Sequence, residues 1–197
     1  MAIAQYVHGF LRHNRRIGFN SGTLIQSLLI SLLFFASIGL SPINQAIADN
    51  RLIIIVRHAE KADEPAGDPP LSASGNIRAQ ALISALKRTP ISQLIATQYQ
   101  RTQQTLLPIS TERHLPITVL EAKKPLETHI QHIVEQVHAV KGNSLIAGHS
   151  NTVPLIIKAL GGPDIPNISE DDYSQLFLLS INDGQPASLI STRYGNE

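Results

Sequence analysis

From Arg51 onward the chain alternates short apolar runs with longer segments whose apolar residues recur every three or four positions. Arg51–Val56 (RLIIIV) is a continuous β-branched run and predicts a buried strand. A polar, proline-rich loop follows over Lys61–Pro70. From Ser72, Ile77, Ala81, Leu82, Ala85 and Leu86 recur at helical spacing, and Pro90 closes that helix. Gln93–Ala96 reads as a second strand, and about Gln98–Ile109 as a helix with many polar positions. Pro116–Leu120 is a third strand. Ile130, Ile133, Val134 and Val137 mark a helix ending near Gly142, and Ser144–Ala147 is a fourth strand. Val153, Ile156, Ile157 and Leu160 mark a further helix that Gly161-Gly162 stops. Gln175–Ile181 and Ala187–Tyr194 are two late strands around Asp183-Gly184, a hairpin-type turn. Strands that alternate with helices predict an α/β fold, a three-layer α/β/α sandwich with a mainly parallel central sheet.

The N-terminal portion breaks this rhythm. Residues 1–48 hold Arg12, Arg15 and Arg16 and no Asp or Glu, then an apolar run over Leu24–Leu40, then Ala46-Ile47-Ala48. A basic stretch, an apolar stretch and a small-x-small site have the layout of a secretory signal peptide. The expectation is therefore an export segment over 1–48 and one domain over 49–197, with a periplasmic or secreted product. The 17 residues of Leu24–Leu40 are at the short edge of a bilayer span. An uncleaved anchor is thus the alternative, and membrane contact is expected only through this segment. Arg15-Arg16 hints at a twin-arginine signal, but the residues after the pair fit that route poorly.

Composition narrows the chemistry. The formal charge of the 197 residues is +1, and residues 49–197 carry 13 basic and 15 acidic side chains. A dedicated nucleic-acid binder would show a basic excess, so no nucleic-acid partner is expected. With no cysteine there is no disulfide framework, thiolate metal site or thiol nucleophile. No Gly-x-x-x-x-Gly-Lys loop, Gly-x-Ser-x-Gly elbow or zincin His pair is present.

Parallel sheets bind ligands beyond the carboxyl ends of their strands. The first strand delivers Arg57-His58-Ala59-Glu60-Lys61 there, the second Thr97 to Thr102 with Arg101, and the fourth Gly148-His149-Ser150. Two guanidiniums offer forked donors that match phosphate oxygens. A neutral imidazole whose second nitrogen is held by a hydrogen bond can attack phosphorus. The leaving alkoxide then needs a proton, which a carboxylic acid can supply.

These segments resemble the histidine phosphatase superfamily, also called phosphoglycerate mutase-like. Arg57-His58-Ala59-Glu60 matches its first motif and Leu71-Ser72-Ala73-Ser74-Gly75 its Leu-Ser-x-x-Gly helix entry. Thr97, Arg101, Thr102 and Thr105 match its Thr-x-x-x-Arg-Thr-x-x-Thr segment, and Gly148-His149-Ser150 its second histidine. The resemblance spans about Arg51–Gly162 in order. It implies a phosphoglycerate mutase-like fold and a phosphatase acting on phosphomonoesters, with a phosphorylated small molecule as partner and neither cofactor nor metal. It makes His58 the nucleophile, with Arg57, Arg101 and His149 binding the phosphoryl group and His149 also catalytic. It puts the proton donor just beyond the third strand, where Glu121 is the nearest acid and Glu127 the fallback. The short Lys61–Pro70 loop departs from mutase members, and Ser150 departs from the Asp of the acid phosphatase and phytase branch. The match is to the compact branch. A phosphate-binding module without turnover and a protein phosphohistidine phosphatase are the alternatives.

Other polar residues have plainer readings. His129 and His132 are expected on a solvated helix face, and Glu170-Asp171-Asp172 in a solvated loop. Ser150 and Thr152 are expected to cap the helix that follows them.

Overall fold

The structure, a computed structural model, describes residues 50–182 and 184–196. The expected export segment and Asp183 of the late turn lie outside the described residues. The elements are β1 (Arg51–Arg57), α1 (Ala73–Ala85), β2 (Gln93–Ala96), α2 (Gln100–Arg113), β3 (Ile117–Val119) and α3 (Leu126–Ala139). They continue with β4 (Ser144–Gly148), α4 (Thr152–Ala159), β5 (Gln175–Ile181) and β6 (Ser188–Arg193). The sheet order is β3-β2-β4-β1-β5-β6. The first four strands in that order run parallel, while β5 and β6 add antiparallel.

Between its terminal arginines β1 is apolar, because both of its faces are covered. Ile53 and Ile55 face one layer, with Ile95, Ile146 and Phe177, and meet Ile133 and Val137 of α3 and Val153 and Ile156 of α4. Ile54 and Val56 face the other layer, with Leu94 and Leu145, and meet Leu82 of α1 and Leu106 and Ile109 of α2. The period-2 alternation of a strand thus divides one hydrophobic run between two cores. Helices on both faces of a mainly parallel sheet make the expected three-layer sandwich.

Three local expectations change. Ile77 is exposed, and the buried line of α1 is Gly75, Ala79 and Leu82. Ile77 is two residues from both Gly75 and Ala79, which on a helix is the opposite side. The second helix runs on to Arg113 with Pro108 inside it. Its last residue is held there by two bonds from the Arg113 guanidinium, to the Thr89 and Leu86 carbonyls, each 2.7 Å. At α4 the N-cap position is Asn151, with no side-chain cap bond. Thr152 Oγ1 instead accepts from the His149 N–H at 2.8 Å, and Ser150 Oγ donates to Glu170.

Gly75 of the Leu-Ser-x-x-Gly entry has a packing reason. A Cβ there would overlap the Glu60 carbonyl oxygen. The same carbonyl accepts from Ser72 N–H at 2.9 Å, so α1 begins pressed against the turn that follows β1. Ser72 caps α1, its hydroxyl accepting from Gly75 N–H. Among the described residues no helix is long and apolar enough to cross a membrane.

Candidate active site

β1, β2 and β4 end side by side, and their ends supply Arg57 and His58, Thr97 to Arg101, and His149. The backbone registers them first. His58 N–H donates to Gly148 O at 2.9 Å, which carries the β1–β4 pairing one residue beyond the strand. Buried threonines then fix the loops. Thr105 Oγ1 accepts from Ala59 N–H at 2.9 Å and donates to Arg101 O at 2.7 Å. Thr102 Oγ1 donates to Tyr99 O at 2.8 Å and accepts from Thr97 N–H. Thr97 Oγ1 lies 3.2 Å from His149 Nε2. The threonines of the Thr-x-x-x-Arg-Thr-x-x-Thr segment therefore join the three strand ends instead of facing a ligand.

Arg57, His58, Arg101 and His149 line one cleft of about 390 Å³, together with Lys61, Tyr99, Lys123, Lys124, Ser150 and Glu170. The rings of His58 and His149 are 5.4 Å apart, centroid to centroid. Arg57 Cζ lies over the Tyr173 ring at 4.1 Å from its centroid and Arg101 Cζ over Tyr99 at 4.3 Å, so each guanidinium has an aromatic face beside it.

His58 Nδ1 is 2.8 Å from Ala59 O. A carbonyl only accepts, so Nδ1 carries the proton and Nε2 keeps its lone pair in the neutral ring. Burial is the main reason the ring stays neutral. It pushes the His58 pKa down to about 4, with the positive charge of Arg101 and Arg57 adding to it. His149 is pushed down to about 3, by burial first and then by His58 and Arg101. Arg57 Nε and Arg101 Nε are buried and have no partner among the described residues. Unmatched buried donors are costly, and two of them on cationic side chains in one cleft suit an anion. The remaining nitrogens of Arg57 are occupied: Nη1 donates to Ser169 O at 2.6 Å and Nη2 to Glu170 Oε2 at 2.7 Å.

The expected acids are placed elsewhere. Glu121 pairs with Lys123 of its own loop and lines a neighbouring hollow with His129 and His132. Glu127 lines a groove between α3 and α4. His129 is not solvated: it is buried, and burial lowers its pKa. Its position four residues before Ile133 puts it on the apolar face of α3, a signal already present in the spacing. Glu170 is the acid that reaches the cleft, and nothing in the Glu-Asp-Asp run marks it, because its partners Arg57 and Ser150 come from other loops. No group of three or more His, Asp or Glu side chains that could hold a metal occurs among the described residues.

Comparison with known proteins agrees with this geometry. Residues 53–124 match the sequence profile of the Histidine phosphatase superfamily (branch 1). No curated protein sequence matches the chain. Among solved structures, the protein histidine phosphatase SixA, determined with tungstate, aligns with a TM-score of 0.57 at 17% identity, covering 72% of this chain and 96% of its own. A mycobacterial glucosyl-3-phosphoglycerate phosphatase aligns with a TM-score of 0.53 at 14% identity, covering 75% of this chain and 100% of its own. At such identities these likenesses carry the fold alone, and the profile match covers the segment from β1 to just before α3.

Proposed function

We propose that this chain, whose residues 53–124 match the histidine phosphatase superfamily, is a member of it and hydrolyses phosphomonoesters through a phosphohistidine formed on His58. The observation that carries this is the His58 ring, with Nδ1–H committed to Ala59 O, in the same cleft as two guanidiniums with unmatched N–H groups. His58 Nε2 attacks phosphorus, the bond to the ester oxygen breaks, and that oxygen leaves with a proton as an alcohol. Water then attacks the phosphohistidine, the N–P bond breaks, and the electron pair returns to Nε2 as inorganic phosphate departs. Arg57, Arg101 and His149 offset the charge on the three transferred oxygens, which is where such displacements gain most from a protein.

The substrate class is phosphorylated small molecules. Protein phosphohistidine is a second reading, favoured by the likeness to SixA. The basic and apolar layout of residues 1–48 supports export, which fractionation of the expressing cell tests. Steady turnover of an aryl phosphate that survives a chelator is expected. His58→Ala should lower the rate at least about 10³-fold and abolish the acid-labile phosphoenzyme. A His58→Ala protein with wild-type turnover overturns the reading.

A further inference from the structure

The cleft has a nucleophile and an anion site, and it also contains one carboxylate. Among the residues that line it, Glu170 is the single acid. We propose that Glu170 is the proton donor to the leaving oxygen, and then the base that receives a proton from the attacking water. The assignment rests on His58 being the nucleophile.

Depth within the cleft is the first argument. His58 is buried, whereas the Glu170 side chain is 79% exposed, so the two line one cleft at its floor and at its mouth. In an in-line displacement the leaving oxygen sits opposite the attacking nitrogen. An ester held on Arg57 and Arg101 and attacked from the floor therefore presents its leaving oxygen toward the mouth.

The second is that the other nearby acids, unlike Glu170, do not line the cleft. Glu60 is held on Arg78 by three bonds. Asp172 is engaged by Ser174, Gln175 and Arg193, and Asp171 by Ser169. Asp68 accepts from Gln100 N–H and pairs with Arg101 Nη1 at 3.8 Å. Glu121 and Glu127 line other hollows.

The ligand itself supplies the protonated form. In the free protein the Ser150 hydroxyl, then Arg57, hold the Glu170 carboxyl below the usual carboxylate range. Lys61, Arg101, Lys123, Lys124 and His149 face the same cleft, with Asp171 and Asp172 beside it in sequence. A phosphoryl dianion competes for the same Arg57 and Ser150 donors and adds negative charge beside the carboxylate. Both effects raise its proton affinity as substrate binds. In the first step the Glu170 proton moves to the ester oxygen as the P–O bond breaks, leaving alcohol, carboxylate and phosphohistidine. In the second step that carboxylate takes a proton from water as oxygen attacks phosphorus and the N–P bond breaks.

A carboxylate that only positions Arg57 would behave differently, and the leaving group separates the two. Wild type and Glu170→Gln are compared by kcat/KM on para-nitrophenyl phosphate, phenyl phosphate and an alkyl phosphate such as glycerol phosphate. Thermal melting confirms that both proteins are folded. A good leaving group needs little protonation and a poor one needs it fully. The expected loss is about 10²-fold or more on the alkyl ester and roughly tenfold or less on the nitrophenyl ester, with Glu170→Asp recovering part of the difference. An equal loss across the three esters makes Glu170 a positioning residue and overturns the proposal, as does no loss. A wild-type protein that cleaves none of them overturns the phosphatase reading and this proposal with it. An active wild type with a flat response overturns this proposal alone.

Discussion

Two arginine–glutamate pairs lie on either side of the turn after β1, and they are built differently. Arg78 and Glu60 are 12% and 21% exposed, and every nitrogen of the Arg78 guanidinium is used: Nε and Nη2 on Glu60, Nη1 on Tyr194 O at 2.8 Å. Arg57 and Glu170 are 2% and 79% exposed, and Arg57 Nε is left without a partner. The first pair is closed. It ties α1 and the C-terminal strand to the turn that carries His58. The second is open, with a buried cation whose counter-charge sits in solvent and whose remaining donor is unmatched. A satisfied pair has nothing left to offer a ligand, whereas an incompletely satisfied one keeps a donor free for it.

That contrast can be broken by exchanging the two outcomes. Arg78→Ala should cost about 3 kcal/mol of stability, since it leaves a partly buried carboxylate and two carbonyls unpaired, while kcat/KM of the folded fraction stays within a few-fold. Chemical denaturation alongside aryl phosphate turnover measures both, and a large catalytic loss at unchanged stability would contradict the division. Arg57→Lys keeps the charge but removes the planar fork. A fall in kcat/KM of about 10²-fold is expected, with a smaller change in melting temperature than Arg78→Ala produces.

The pH response of the open site sharpens the contrast further. His58 and His149 are held neutral until about pH 4 and about pH 3 in the folded protein, whereas in the unfolded chain both titrate near ~6.5. Below that value the unfolded chain binds protons that the folded one does not, so stability is full above about pH 6.5 and falls as the pH drops toward 4. The acid limb of kcat/KM that belongs to His58 should accordingly lie near pH 4. Melting curves between pH 7 and pH 4.5 that do not shift would show that burial of the two rings is not what holds them neutral.

The fold was legible wherever a residue's surroundings follow from its own element. The RLIIIV run predicts a strand covered on both faces, and the apolar spacing of 130, 133 and 137 predicts the covered side of α3. The convergence of Arg57, His58, Arg101 and His149 was legible too, because a parallel sheet brings its strand ends to one edge. The acid was not. Glu121 follows β3 directly, but the chain turns there, with Ala122 N–H on Gln98 Oε1, and the carboxylate meets Lys123. Proximity to a strand end in sequence does not fix where a side chain in the next loop lies. Glu170 reaches the cleft because the segment before β5 folds back over Arg57, an apposition that no local pattern carries.

The place of β1 in the middle of the sheet also bears on how the protein comes to exist. Its neighbours are β4 and β5, not the strand that follows it, so the pairings that bring the cleft's strand ends together join distant parts of the chain. His58 waits for Gly148, and Arg57 for Glu170, 113 residues later. Pairings of such separation form slowly, because a long loop must close before any contact rewards it. As the chain is synthesised, the first histidine emerges long before the second, and the cleft closes only when residues near 170 have arrived. Catalytic competence is thus a late event in the life of each molecule, and no N-terminal fragment ending before β4 can possess it.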